Sequence, residues 1–157
     1  MKRLFAAAAL LFTCLFSLPV VASGGDVLLT VRSGDASFEY TLEDLRALGD
    51  REIKTTTIWS DGVQTFVGVP LDTLMSHIGA QDGALEAAAV NDYAVEIPMS
   101  DVRPGGPMIA YMRNGATMSL RDKGPLWIVY PYDSGAEFRT EEVYSRSIWQ
   151  LNRITVK

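Results

Sequence analysis

The sequence predicts a β-rich α+β domain with short helices on its outside. Short segments of β-branched, aromatic or alternating apolar residues recur from Val27 to Val156, punctuated by turn signals such as Asp61-Gly62 and Asn114-Gly115. Just two segments, both short, carry helical spacing. The run Leu126 to Tyr130 is apolar almost throughout, the pattern of a strand covered on both faces.

Taken in order, Val27 to Val31 is rich in β-formers and reads as an edge strand. Phe38 and Tyr40 have the period-two spacing of a second strand. Thr41-Leu42-Glu43-Asp44-Leu45 reads as a helix, with Thr41 as N-cap, acids in the first turn and Gly49 as the stop. Lys54 to Trp59 reads as a strand, Asp61-Gly62 as the hairpin turn, and Val63 to Val67 as the returning strand. Pro70 then fits a first helical turn. Leu71, Leu74, Met75 and Ile78 share one helical face, and Gly79 fits C′. Leu85 to Val90, the alternating Tyr93, Val95 and Ile97, Met108 to Met112 before the Asn114-Gly115 turn, and Leu126 to Tyr130 continue as strands. Tyr144 to Ser147 reads as a turn, and Leu151 to Val156 as a terminal strand.

The N-terminus has a different character. Lys2 and Arg3 precede an uncharged apolar stretch from Leu4 to Leu18, then Pro19 and the small-residue approach Val20-Val21-Ala22. That order is a signal peptide over residues 1–22, cut after Ala22. The apolar run is shorter than the roughly 20 residues of a spanning helix. Phe12 and Thr13 are too bulky to make Cys14 a lipid-attachment cysteine. Residues 23–157 would form one domain, with no direct membrane insertion after cleavage, and the compact signal fits export to a bacterial periplasm. That domain is two units more negative than the whole chain's −5, because the first 22 residues hold two basic and no acidic side chains. Such a balance argues against nucleic acid and anionic lipid as partners. It would also contain no cysteine, since Cys14 is the chain's single one.

No nucleophile elbow, phosphate-cradling glycine loop or zinc spacing appears. His77, the lone histidine, reads as a surface or helix-end residue. What stands out is a set of polar-aromatic clusters at strand ends: Ile58 to Asp61, Val90 to Tyr93, Arg121 to Pro125, Tyr130 to Asp133 and Tyr144 to Ser147. A rigid sheet presenting aromatics, arginines and a carboxylate on its loops is how small-molecule pockets are built. Taken singly, Trp59 and Tyr130 suit a core and the charges suit solvated turns. A flat heterocycle would stack on Trp59 and Tyr93, and Asp92 beside Asn91 would accept from an amino-pyrimidine edge. Arg121, Lys123 and Arg146 would face carbonyl or anionic groups, and Tyr132 and Tyr144 would close the pocket.

Phe66-Val67-Gly68-Val69-Pro70-Leu71, with Leu74 after it, resembles a signature of the sulfite-oxidase fold, the molybdopterin-binding domain of sulfite oxidase and its relatives. Arg121 to Trp127, Asn91 to Pro98 and Ser147 to Leu151 resemble later segments of small exported members, so the likeness spans most of Val27 to Val156. The resemblance implies a mixed sheet with short peripheral helices and a pterin site. Catalytic members hold molybdenum through a cysteine thiolate. Residues 23–157 have none, so molybdenum is not expected and the implied activity is pterin binding rather than catalysis. The resemblance also implies a partner, the periplasmic domain of a membrane sensor such as a histidine kinase or a cyclic-dinucleotide enzyme. The alternatives are a molybdopterin-dependent oxidoreductase with a non-cysteine ligand, and an interaction module with a degenerate pocket.

Overall fold

The computed structural model describes residues 25–157, so the signal peptide expected over residues 1–22, and Cys14 with it, lies outside the described residues. The chain opens with a hairpin of β1 (Leu29–Ser33) and β2 (Ala36–Tyr40), in which Leu29 and Val31 turn inward. Helix α1 (Leu42–Ala47) starts from Thr41 as the sequence predicts. The Thr41 hydroxyl accepts from the Asp44 N–H at 3.2 Å and the Asp44 carboxylate accepts from the Thr41 N–H at 2.8 Å, a capping box with Asp in the Glu position. Gly49, at φ +112°, ends it.

Strands β3 (Arg51–Thr57) and β4 (Ser60–Pro70) form the next hairpin, and α2 (Leu71–His77) follows β4 directly. This helix buries Leu71, Leu74 and Met75, with Ile78 as C-cap and Gly79 at C′ with φ +74°. Strands β5 (Ala84–Ala89) and β6 (Ala94–Pro98) pair antiparallel. Strand β7 (Met108–Arg113) turns through Asn114 (φ +52°) and Gly115 (φ +83°) into β8 (Ala116–Thr117), the two positive φ values that a type I′ turn needs. The chain ends with β9 (Trp127–Val129), α3 (Glu141–Arg146) and β10 (Leu151–Val156).

The strands make two five-stranded sheets. The first has the order β2-β1-β10-β5-β6 and is mixed, because β1 and β10 run parallel while its other pairs are antiparallel. The second runs β3-β4-β7, with β8 and β9 sharing the far edge of β7, all antiparallel. Leu29, Val31, Leu85 and Ile154 of the first sheet and Phe66, Val69, Ile109 and Trp127 of the second belong to one buried cluster. The β-rich α+β class holds, with a mixed first sheet and few, short helices.

Three local expectations are corrected. First, β1 is not an edge strand: β10 lies along its free side, in register Thr30↔Arg153 to Ser33↔Val156. A pairing across more than a hundred residues leaves no local signal. Second, the β3–β4 turn is Ile58-Trp59, not Asp61-Gly62. Thr57 pairs with Ser60 and Thr56 with Val63, so Asp61 and Gly62 are extra residues on β4, with Gly62 at φ +67°. The same left-handed residue that suits a turn suits a bulge. Third, Tyr144 to Arg146 are the end of α3 rather than a turn; Thr140 caps that helix by accepting from the Val143 N–H at 3.2 Å.

The Phe66-to-Leu71 motif has a packing meaning. Phe66, Val69 and Leu71 are fully buried, and Pro70 closes β4 and caps α2. Gly68 sits at a register shift against β7, where a Cβ would collide with the Ile109 carbonyl oxygen and the Ala110 Cα. Both obstacles are backbone and cannot swing aside. Gly68→Ala should therefore lower the unfolding free energy in urea by about 1–3 kcal/mol, the usual range for overpacking. Gly25→Ala, whose Cβ would meet the Thr41 side chain at an ordinary 3.5 Å, should stay within about 0.5 kcal/mol of the parent.

Candidate functional site

The β3–β4 hairpin carries Trp59 at its tip. The Thr57 hydroxyl accepts from the Trp59 N–H at 3.2 Å and shares a 2.6 Å hydrogen bond with the Ser60 hydroxyl. Ile58 points outward, 61% exposed, while Trp59 turns in and packs against the core. A second clasp comes from a 3₁₀ turn at Tyr132–Ser134. The Asp133 carboxylate accepts from the Thr56 N–H (2.5 Å) and the Thr56 hydroxyl (2.7 Å), and its own N–H donates to the Thr55 hydroxyl (3.1 Å). This clasp closes part of the free edge of β3 and sets Tyr132 beside Trp59.

Trp59 is then the hub of an aromatic cluster. Its ring meets Trp127 (5.7 Å between centroids), Tyr132 (6.2 Å), Tyr144 (5.8 Å) and Trp149 (5.6 Å), all edge to face. That is the geometry ring quadrupoles favour. Trp127 and Tyr132 are fully buried behind it. The Tyr132 hydroxyl donates to the Ser147 hydroxyl (2.7 Å), which donates to the Val143 carbonyl (2.7 Å), and the Trp127 indole N–H donates to the Ser147 carbonyl (3.1 Å). Burial raises the Tyr132 hydroxyl pKa well above its ordinary value, so it is a permanent donor.

On the open side of the cluster lies a cleft of about 430 Å³, lined by Trp59, Ala89, Asn91, Tyr93, Tyr144, Ser145, Ser147, Ile148, Trp149 and Gln150. That size is in the ordinary range for small-molecule sites. Both sheets contribute: the β3–β4 hairpin of one, the β5–β6 turn of the other, and the α3–β10 connection between them. The lining has aromatic, amide and hydroxyl groups and no Asp, Glu, Lys, Arg or His side chain. Among the described residues, the indole N–H groups of Trp59 and Trp149 and the Tyr144 hydroxyl make no hydrogen bond. Three non-glycine residues stand in the left-handed region around it: Asp92 (φ +64°), Lys123 (+70°) and Gln150 (+54°). Each costs roughly 1–2 kcal/mol. Gln150 is held there because its N–H donates to the Lys123 carbonyl, its side-chain amide donates to the Leu120 carbonyl (2.8 Å), and its carbonyl accepts from the Val90 N–H.

Four of the residues singled out in the sequence line this cleft: Trp59, Asn91, Tyr93 and Tyr144. Tyr132 stands behind Trp59 and Tyr144. Lys123 lies over the Trp149 ring, its ammonium 4.7 Å from the centroid. The other three stand elsewhere. The Asp92 side chain is 84% exposed and pairs with Arg153 at 3.2 Å. Arg121 is exposed on a 3₁₀ turn at Leu120–Asp122. Arg146 points to the opposite side of α3, pairing with Asp101 at 3.1 Å. Trp149 and Gln150 were not singled out as site residues. An indole followed by an amide, just before the terminal strand, was the available signal.

Among the described residues no group of three or more His, Cys, Asp or Glu side chains could hold a metal ion. Residues 25–157 also contain no cysteine, so a thiolate-bound molybdenum does not fit them. No protein-family model matches the chain, and no curated protein matches it either.

The Asp133 clasp makes a pH prediction. Its carboxylate is held below the ordinary range first by the Thr56 N–H and then by the Thr56 hydroxyl. A depressed folded-state pKa contributes stability above the unfolded value of about 4, and that stability is lost as pH falls through the folded value. Asp133→Asn should therefore lower the urea midpoint near pH 7, and its difference from the parent should shrink as the pH is brought below about 4.

Proposed function

We propose that this protein is an exported pterin-binding protein that reports ligand occupancy to the periplasmic domain of a membrane sensor, a histidine kinase or a cyclic-dinucleotide enzyme. The observation that carries the reading is the cleft beside Trp59, where a cluster of edge-to-face aromatic rings meets an uncharged, hydrogen-bonding lining. A planar heterocycle with ring carbonyl and amino groups matches it on both counts. Its faces lie against Trp59, Tyr144 or Trp149, and its edge meets the Asn91 and Gln150 amides and the free indole N–H groups. Because no cation lines the cleft, the ligand is a pterin without a buried anionic tail. Lys123, the cation beside the cluster, is already engaged with Trp149.

The resemblance of the Phe66-to-Leu71 motif to the sulfite-oxidase fold supports the pterin over other flat rings. The signal-peptide pattern supports the periplasm. A sensor partner is supported by exposed apolar side chains: Tyr93 and Trp149 line the cleft, and Ile58 and Val90 are chain neighbours of its lining residues Trp59, Ala89 and Asn91. Exposed apolar surface of this kind is what protein partners cover.

Titration of the purified protein with a tetrahydropterin, followed by calorimetry and by tryptophan fluorescence, tests the reading. Binding should quench indole emission, since Trp59 and Trp149 line the cleft. Trp59→Ala and Tyr144→Ala should each weaken the dissociation constant roughly tenfold or more, given about 1–3 kcal/mol per stacked ring. Arg121→Ala and Asp92→Asn, outside the cleft, should leave it within about twofold. No heat and no quenching at millimolar pterin would sink the assignment.

A further inference from the structure

We infer that Arg146 is a positioning residue: through Asp101 and Tyr130 it holds α3 in the one rotation that keeps Tyr144 in the wall of the cleft. The inference rests on the cleft being the ligand site proposed above.

With six residues, α3 is too short to be stable by itself, so its placement is set by what grips it. Two grips act on opposite faces. On the inner face the Ser147 hydroxyl, just past the helix, donates to the Val143 carbonyl and accepts from Tyr132. On the outer face Arg146 Nη1 donates to Asp101 Oδ2 at 3.1 Å, and the same oxygen accepts from the Tyr130 hydroxyl at 2.8 Å. Tyr130 is 1% exposed, so one end of this array is fixed in the core. Burial, then the Asp101 charge, keeps its hydroxyl protonated and therefore donating. The arginine and aspartate side chains are 24% and 19% exposed, and a pair this sheltered costs desolvation unless its geometry is kept.

Tyr144 and Arg146 are two residues apart, about 200° around a helix of 3.6 residues per turn. Pulling Arg146 toward Asp101 therefore presses Tyr144 into the cleft wall, where its ring meets Trp59 at 5.8 Å and Tyr132 at 5.5 Å. The inner grip, together with buried Val143 and the Trp127 bond to the Ser147 carbonyl, holds the C-terminal end of the helix, and the Arg146 grip adds a restraint on the opposite face. A second cavity, of about 290 Å³, lies on this outer face, but Arg146 and Asp101 at its wall satisfy each other. We read that array as an anchor and not as a second ligand site.

The test uses the intact protein labelled with fluorotyrosine, the Tyr144 resonance being assigned by its loss in Tyr144→Phe. Arg146→Met and Asp101→Asn should each shift or broaden that resonance without ligand and weaken tetrahydropterin binding roughly tenfold, with backbone circular dichroism unchanged. Arg146→Lys, whose ammonium still reaches Asp101, should recover most of both. In a double-mutant cycle, adding Arg146→Met to Tyr144→Ala should cost little further affinity, because the arginine acts through the tyrosine. An unmoved Tyr144 resonance in Arg146→Met, or a loss of affinity that adds in full to that of Tyr144→Ala, would overturn the inference. If the parent binds no pterin, the functional reading fails while the anchor is still decided by the fluorine spectrum.

Discussion

The segment from Ile148 to Leu151 is the constraint on which the two sheets depend, since it is bonded to both of them. The Ile128 N–H donates to the Ile148 carbonyl, and the Leu151 N–H donates to the Leu126 carbonyl, tying the segment to β9. From the other sheet the Val90 N–H donates to the Gln150 carbonyl. Immediately afterwards β10 enters the first sheet between β1 and β5. Without that strand the first sheet would be two separate hairpins, and an isolated hairpin is marginal in water. Backbone hydrogen bonds are obligatory groups, so a segment satisfied from two sides has one place to be.

The cleft is a consequence of this junction. A chain that must cross from one sheet to the other leaves a seam, and here Trp59 and Trp149, in edge-to-face contact, both line it. The left-handed backbone at Gln150 and Lys123 is the local cost, offset by the hydrogen bonds that the junction makes. The same features explain why the site is preorganised. Trp59 is clasped by Thr57 and packed by four rings, and Tyr132 is held from both ends by Asp133 and Ser147. A ligand entering such a cleft would find its aromatic walls already placed, which lowers the entropy lost on binding.

Much of the local structure was legible in the sequence because its causes are local. The Thr41–Asp44 capping box, the Asn114-Gly115 turn, the buried face of α2 and the covered run at β9 each follow from a few neighbouring residues and their dihedral or burial preferences. The bulge at Asp61-Gly62 was less legible, since a glycine with positive φ serves a turn and a bulge equally well. Within the cleft the aromatics were the legible part. Trp59, Tyr93 and Tyr144 stood out as large rings at strand ends, and rings at such places turn inward or line surfaces. The charged residues were not legible in this way. Asp92 and Arg146 lie next to cleft residues in the chain, yet a side chain one or two positions along a turn or helix faces another direction, and Arg121 stands on a separate 3₁₀ turn.

By itself, then, the sequence determined the β-rich class, the first two short helices with the Thr41 cap, and the turn at Asn114-Gly115. It also determined that residues 25–157 carry no thiol, and that aromatic and polar residues crowd the strand ends. Those are matters of composition, periodicity and short-range sterics. Only the tertiary structure decided that β1 is interior, that the last strand joins the first in parallel, and that Trp59 meets Trp149 edge to face in the lining of one cleft. It alone also turned Arg146 toward Asp101 and left the cleft lining uncharged. These are pairings between residues far apart in the chain, settled by which hydrogen bonds and ring contacts can be satisfied together, and no window of sequence contains both partners.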